Sequence, residues 1–191
     1  MKVLMILFIL LVSFSSMAVE VGSPAPDFKL QGTSLASFKG KVVVLEWLNH
    51  GCPFVKKHYS SGNMQALQKK YTAKNIIWLS IISSAPGKQG HVDEKQALSD
   101  KELHHSHASH VLVDPTGEVG KLYEAKTTPH MFIVDQKGRL VYQGAIDDKA
   151  DAEVSSVSSA RNYISEALDN LLAGKKIRVP QTKPYGCSVK Y

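Results

Sequence analysis

Cysteine is scarce in this sequence: Cys52 and Cys187 are its only two, in a chain of 191 residues. Neither has a second cysteine close by, so the chain encodes no local Cys-x-x-Cys dithiol. No arginine-rich stripe with interleaved aromatics is present, which argues against nucleic acid as a partner. The basic residues are scattered, as in Lys56-Lys57, Lys69-Lys70 and Lys175-Lys176, so the net charge of +6 reads as a solvated basic surface. Beyond the first 18 residues no stretch is apolar and long enough to span a membrane. The chain shows no internal repeat.

What is present begins with a leader pattern. Lys2 is followed by an unbroken apolar run from Val3 to Val12, too short for a membrane span, and Ser16-Met17-Ala18 place small residues at a cleavage position. Residues 1–18 therefore predict a cleaved signal peptide, no stable membrane insertion afterwards, and a periplasmic or secreted location. Both cysteines would then sit in an oxidising compartment, where an even count permits a disulfide. The 43% hydrophobic and 21% charged fractions are those of an ordinary globular protein.

The remainder reads as one domain over residues 19–174 with a tail over 175–191. Pro24 and Pro26 keep the first segment extended. The β-branched run Val42–Val44 starts a buried strand that reaches Trp47. Asn49-His50-Gly51 interrupt it, and Pro53 suits the first turn of a helix. That helix is expected from Cys52 to about Tyr71, with a break near Ser60, where serines and Gly62 gather. Strands are expected over 76–82, 111–113, 131–134 and 139–143, and helices over 93–104, 117–125 and 158–173; the tail carries no pattern of regular structure. This alternation implies an α/β fold with a mixed central β-sheet flanked by helices.

One position stands out chemically. Cys52 lies where a buried strand turns into a helix, and a helix N-terminus offers free N–H groups and partial positive charge that favour a thiolate. Lys56 and Lys57, one turn on, are expected to add positive potential, and His50 to exchange a proton with the sulfur.

The segments "GSPAPDF", "CPFVKKHY", "TTPHMFIVD", "GRLVYQGAIDD" and "TKPYGCSVKY" together resemble the thioredoxin-like superfamily, on its peroxiredoxin-like (redoxin) branch, over nearly the whole mature chain. The resemblance implies a thioredoxin-like fold in which Pro129 is cis and its loop packs beside Cys52, with Thr128 and His130 flanking the sulfur. It also implies a buried acid, Glu46, beneath the cysteine, able to take up its proton. The departures are specific. Val55 stands where thioredoxins carry their second cysteine. Leu45 and Asn49 stand where peroxiredoxins carry a proline and a threonine before theirs, and no arginine matches the peroxiredoxin one near the fourth strand. Cys187 is the candidate resolving thiol, brought to Cys52 by a flexible tail.

Three roles stay open on these grounds. The first is a thiol-dependent oxidoreductase of protein thiols and disulfides. The second is an antioxidant thiol peroxidase acting on a hydroperoxide through a sulfenic acid. The third is a non-catalytic module holding an extended peptide. Either enzyme would need an external thiol reductant, and no cofactor is expected. His104, His107 and His110 have a spacing that a helix would place on one side, but no thiol or carboxylate completes a metal site locally.

Overall fold

The computed structural model describes residues 19–191, so the expected signal peptide lies outside the described residues. Past Pro24 and Pro26 the chain makes a small antiparallel hairpin of β1 (Lys29–Leu30) and β2 (Thr33–Ser34). Strand β3 (Val43–Trp47) follows and is buried along its whole length. Its branched side chains suit a pleated surface covered on both faces.

The expected long helix is two helices, α1 (Pro53–Ser60) and α2 (Asn63–Thr72). The break falls at Gly62, whose φ of 74° is left-handed and cheap only for glycine. Strand β4 (Ile77–Ile82), helix α3 (Glu94–Leu103), strand β5 (His110–Val113) and helix α4 (Glu118–Leu122) come next. After β6 (Thr127–Thr128), the pair β7 (His130–Val134) and β8 (Leu140–Gly144) forms a hairpin. Helix α5 (Tyr163–Leu172) starts five residues later than expected. The side chain of Asn162 caps it by accepting the Ser165 N–H at 2.8 Å, and the serine-rich stretch before it forms only a 3-10 turn, Val154–Ser159.

The central sheet has the order β5-β4-β3-β7-β8. Strands β3, β4 and β5 are parallel, while β7 and β8 are antiparallel additions, so the sheet is mixed, as expected. Alternation along the strands sends residues to two cores. Val44, Trp78, Met131, Ile133 and Tyr142 face α1, α2 and α5. Val43, Leu45, Trp47, Leu79, Ile81 and Phe132 face α4 and the N-terminal segment.

The tail is the main departure. Rather than lying free, it forms a strap across the domain that ends in β9 (Cys187–Ser188), paired antiparallel with β6. Its fastening begins at Gln143, which bonds the backbone on both sides of Gln181. Further along, the Ala85 N–H donates to Lys190 O at 2.8 Å and the Tyr191 hydroxyl to Ala125 O at 2.7 Å.

Glu46 holds the helical layer to the sheet. It is fully buried and accepts four hydrogen bonds: from Tyr59 of α1 (2.9 Å), Gln68 of α2 (3.1 Å), and Trp78 (2.7 Å) and Ser80 (2.9 Å) of β4. Burial pushes its carboxyl above the usual range, against the pull of these donors. A raised pKa in the folded state gives stability that is complete below the unfolded value of about 4.3 and is lost as pH rises through the folded value. Glu46→Gln should therefore gain on the wild type in denaturant midpoint as pH is raised from about 4; parallel profiles would contradict the assignment. Glu46→Ala, which strands several donors at about 1–3 kcal/mol each, should lose at least about 3 kcal/mol.

Candidate functional site

The end of β3 and the start of α1 place Cys52 by backbone geometry. Asn49 shapes the turn: its side chain accepts the Gly51 N–H at 2.9 Å, and its carbonyl accepts the Cys52 N–H at 2.9 Å. Cys52 is the N-cap residue, extended at φ −79° and ψ 128°, with Pro53 following it into the helix. Its carbonyl accepts the Lys56 N–H at 2.9 Å, the Val55 N–H of the first turn lies on the side of the sulfur, and the sulfur has further partners outside the helix.

Those partners come from the loop before β7 and from the strap. The Thr128–Pro129 peptide bond is cis, and the Cys52 thiol donates to Thr128 O at 3.1 Å. The register of β6 against β9 sets Thr128 opposite Cys187. This sets the Cys187 thiol next to Cys52, where each sulfur acts on the acidity of the other. Both thiols are free.

Burial acts on both sulfurs in the same direction, yet their acidities part. For Cys52, burial pushes the pKa up, and hydrogen bonds outweigh it: from the Cys187 thiol, the Val55 and Cys187 backbone N–H groups, and the Thr128 hydroxyl. The net displacement is below the ordinary thiol value. The Thr128 hydroxyl is buried with no hydrogen-bond partner, which leaves it available to a thiolate at Cys52. For Cys187, burial raises the pKa, and donating to Cys52 and facing its charge raise it further, to about 11.

The expected supporting residues divide. Thr128 and Pro129 lie at the sulfur. Glu46 lies on the same face of β3 but is engaged by its four donors and has no hydrogen bond to Cys52. His50 stacks on His104 at 3.8 Å between ring centroids and meets the edge of Tyr59 at 4.9 Å. Burial and the neighbouring His104 depress its pKa to about 4, so near neutrality it is an uncharged ring. His130 is a correction. Expected beside the sulfur, it points to the opposite face of the sheet, 4.3 Å from the Phe132 ring, and accepts the Lys126 N–H through Nδ1. Its pKa is about 3, depressed by burial and then by Lys126.

Lys57 is a second correction. It does not point its charge at Cys52 but is buried, donating to Lys149 O at 2.6 Å and Asp151 Oδ1 at 3.3 Å, with Asp147 at 3.9 Å. The histidine cluster does not assemble either. Helix α3 ends at Leu103; His104 stacks on His50, the His107 N–H donates to Gln68, and His110 packs against Phe38. Among the described residues no group of three metal-ligating side chains forms.

Sequence reasoning missed a buried polar cluster beside the strap. The Tyr185 hydroxyl donates to Asp147 Oδ1 at 2.5 Å and lies 3.0 Å from His58 Nε2. The other ring nitrogen of His58 accepts from Asn63 at 2.9 Å, which leaves Nε2 as the protonated one, donating to Tyr185. His58 stays neutral, its pKa held at about 3 by burial and then by Lys57. Four of these residues fall in motifs already noted: "CPFVKKHY" holds Lys57 and His58, "GAIDD" holds Asp147, and "KPYGC" holds Tyr185.

A thiol at a helix start, against a cis-proline loop on a mixed sheet of this order, defines the site. The Redoxin family model matches residues 20–164. The chain belongs to the redoxin family. Its fold is close to that of an uncharacterized conserved protein from Geobacillus kaustophilus, with a TM-score of 0.74 and 27% identity over 91% of this chain and 93% of that one. A hypothetical protein from Sinorhizobium meliloti 1021 matches with a TM-score of 0.73 and 23% identity, over 92% and 96% of the two chains. A provisionally named thiol:disulfide interchange protein, DsbE, from Chlorobium tepidum matches 66% of this chain and 85% of its own at 27% identity, with a TM-score of 0.50. No curated protein matches the sequence. The redoxin membership and the Chlorobium neighbour support thioredoxin-type redox chemistry.

The origin of the Cys52 acidity is testable in this redoxin. Iodoacetamide should label Cys52 with a midpoint below that of a free thiol, about 8.5, and leave Cys187 slow until far more alkaline pH. Cys187→Ala should raise the Cys52 midpoint, because it removes the thiol donor, whereas Lys56→Gln should leave it nearly unchanged. The reverse pattern would return the effect to surface charge.

Proposed function

We propose that this redoxin is a thiol–disulfide oxidoreductase of an oxidising compartment outside the cytosol, with Cys52 as nucleophile and Cys187 as resolving thiol. The observation that supports this reading is the pairing of Thr128 with Cys187, which supplies beside Cys52 the second thiol that Val55 does not.

The electron count closes with these two sulfurs and a substrate disulfide. The Cys52 thiolate attacks one substrate sulfur, a mixed disulfide forms, and the other substrate sulfur leaves as a thiolate. Cys187 loses its proton to that leaving thiolate and attacks the Cys52 sulfur. The second substrate thiol departs and a Cys52–Cys187 disulfide remains, so the substrate has gained two electrons and an external dithiol must return them. The acidities suit this order. Cys52 is the more acidic and reacts first. Once it is bonded to the substrate its charge is gone, and one of the causes that hold Cys187 near 11 disappears.

The peroxidase alternative draws less support from the site. Asn49, at the place of the peroxiredoxin threonine, uses its side chain on Gly51 and on Gln89 O rather than on the sulfur. Of the three arginines, all among the described residues, Arg139 donates to Gly22 O, Arg161 pairs with Glu166 and Arg178 lies near Glu166, so none is engaged with Cys52.

The test uses reduced protein and one equivalent of a peptide disulfide. Wild type should release both peptide thiols and end with an internal Cys52–Cys187 bridge, located by mass mapping. Cys187→Ser should release one peptide thiol and hold the other on Cys52. A wild type that also stops at a persistent mixed disulfide would refute the relay.

A further inference from the structure

The site is closed. Cys52 has 0% of its surface exposed and Thr128 only 3%, although both must meet a substrate disulfide. The cover is the strap: Cys187 and Ser188 pair with Thr128 and Thr127, and the Val189 N–H donates to Lys126 O at 3.2 Å. Residues 187–189 therefore add a strand to the free edge of the cis-proline loop, which is how a sheet edge accepts an extended polypeptide.

The strap is seated in a built slot. Tyr185 reaches into the domain, its ring 5.9 Å from Phe54 and its hydroxyl on Asp147 and His58. Lys57 closes the far side of that cluster through Asp147 and Asp151. Gly186, at a φ of 138°, passes so close to the loop that any Cβ there would collide with the Thr128 carbonyl. Aromatic residue, glycine, cysteine and serine thus occupy successive positions, with the cysteine delivered to Cys52.

We propose that residues 185–188 are a tethered stand-in for the substrate, occupying a groove that accepts an extended polypeptide with an aromatic side chain two residues before its reactive cysteine and glycine just before it, and that the strap must lift for that substrate to enter. This rests on the reading of Cys52 as the reactive thiol. Tyr185 is the anchor of the strap and a positioning residue for Cys187. A polypeptide strand is favoured as the occupant because the contacts to β6 and Lys126 are backbone hydrogen bonds, which any chain can reproduce. The side-chain slot and the glycine-only step add selectivity.

The test keeps the full chain and reads access rather than turnover. In a Cys187→Ser background, fully reduced, Cys52 is labelled with iodoacetamide and, separately, with a bulky polymer-linked maleimide. The ratio of the two rates cancels changes in thiol acidity. The background alone should label slowly with the bulky reagent. Gly186→Val should raise the bulky-to-small ratio at least tenfold, and Tyr185→Phe should raise it less, with faster hydrogen exchange confined to residues 183–190 and their partners at 126–128. A peptide of residues 183–190 with serine for Cys187 should bind the Gly186→Val chain, and the same peptide with valine for Gly186 should not. A ratio unchanged in both variants, or equal binding of both peptides, would overturn the proposal. Neither readout involves oxidation, so an internal bridge could still form if the strap proposal failed, and the strap could still gate Cys52 if the relay failed.

Discussion

The antiparallel pairing of Thr127–Thr128 with Cys187–Ser188 is the constraint on which the site depends. Two thiols far apart in sequence are of no mutual use unless backbone geometry fixes one against the other. In a Cys-x-x-Cys arrangement a single helical turn does this. Here a strand edge does it, and the strap after Ile177 gives that edge its partner. The same pairing sets the acidities. It supplies the Cys187 thiol and N–H to the Cys52 sulfur, and it leaves Cys187 as the weaker acid of the pair.

Two buried polar groupings make the pairing persistent. Glu46 ties α1 and α2 to β4, so the start of α1 has little freedom to move from the sheet. The Lys57–Asp147–Tyr185–His58 cluster ties α1 to the strap. Burying such groups is costly unless they are paired, and a change to one partner leaves the others stranded. Cys52 thus sits between two fastenings, one to the sheet and one to the tail.

Much of this was legible in the sequence because local chemistry and tertiary structure agree there. The branched run before Trp47, Pro53 in the first turn, Gly62 at the helix break and the "TTP" before β7 each mark a feature that the structure contains. The failures have a common cause. The start of α5 is ambiguous in the sequence because Ser158 and Asn162 are both good caps and only the fold selects between them. The side to which His130 points is hidden in the sequence because a strand alternates faces, and the face is set by its register against Trp47. Lys57 read as a surface charge because its partners Asp147 and Asp151 are remote in sequence. The tail read as irregular because a two-residue strand fastened by scattered side chains has no periodicity to detect.

The central claim is that Cys52 and Cys187 form one redox couple. Equilibrating the protein across a series of glutathione redox buffers, quenching with acid and counting both thiols measures this directly. The two cysteines should oxidise together, as a single two-electron couple whose oxidised form is the internal disulfide. Independent oxidation of each, with glutathione attached to Cys52 and Cys187 still free across the range, would contradict the account.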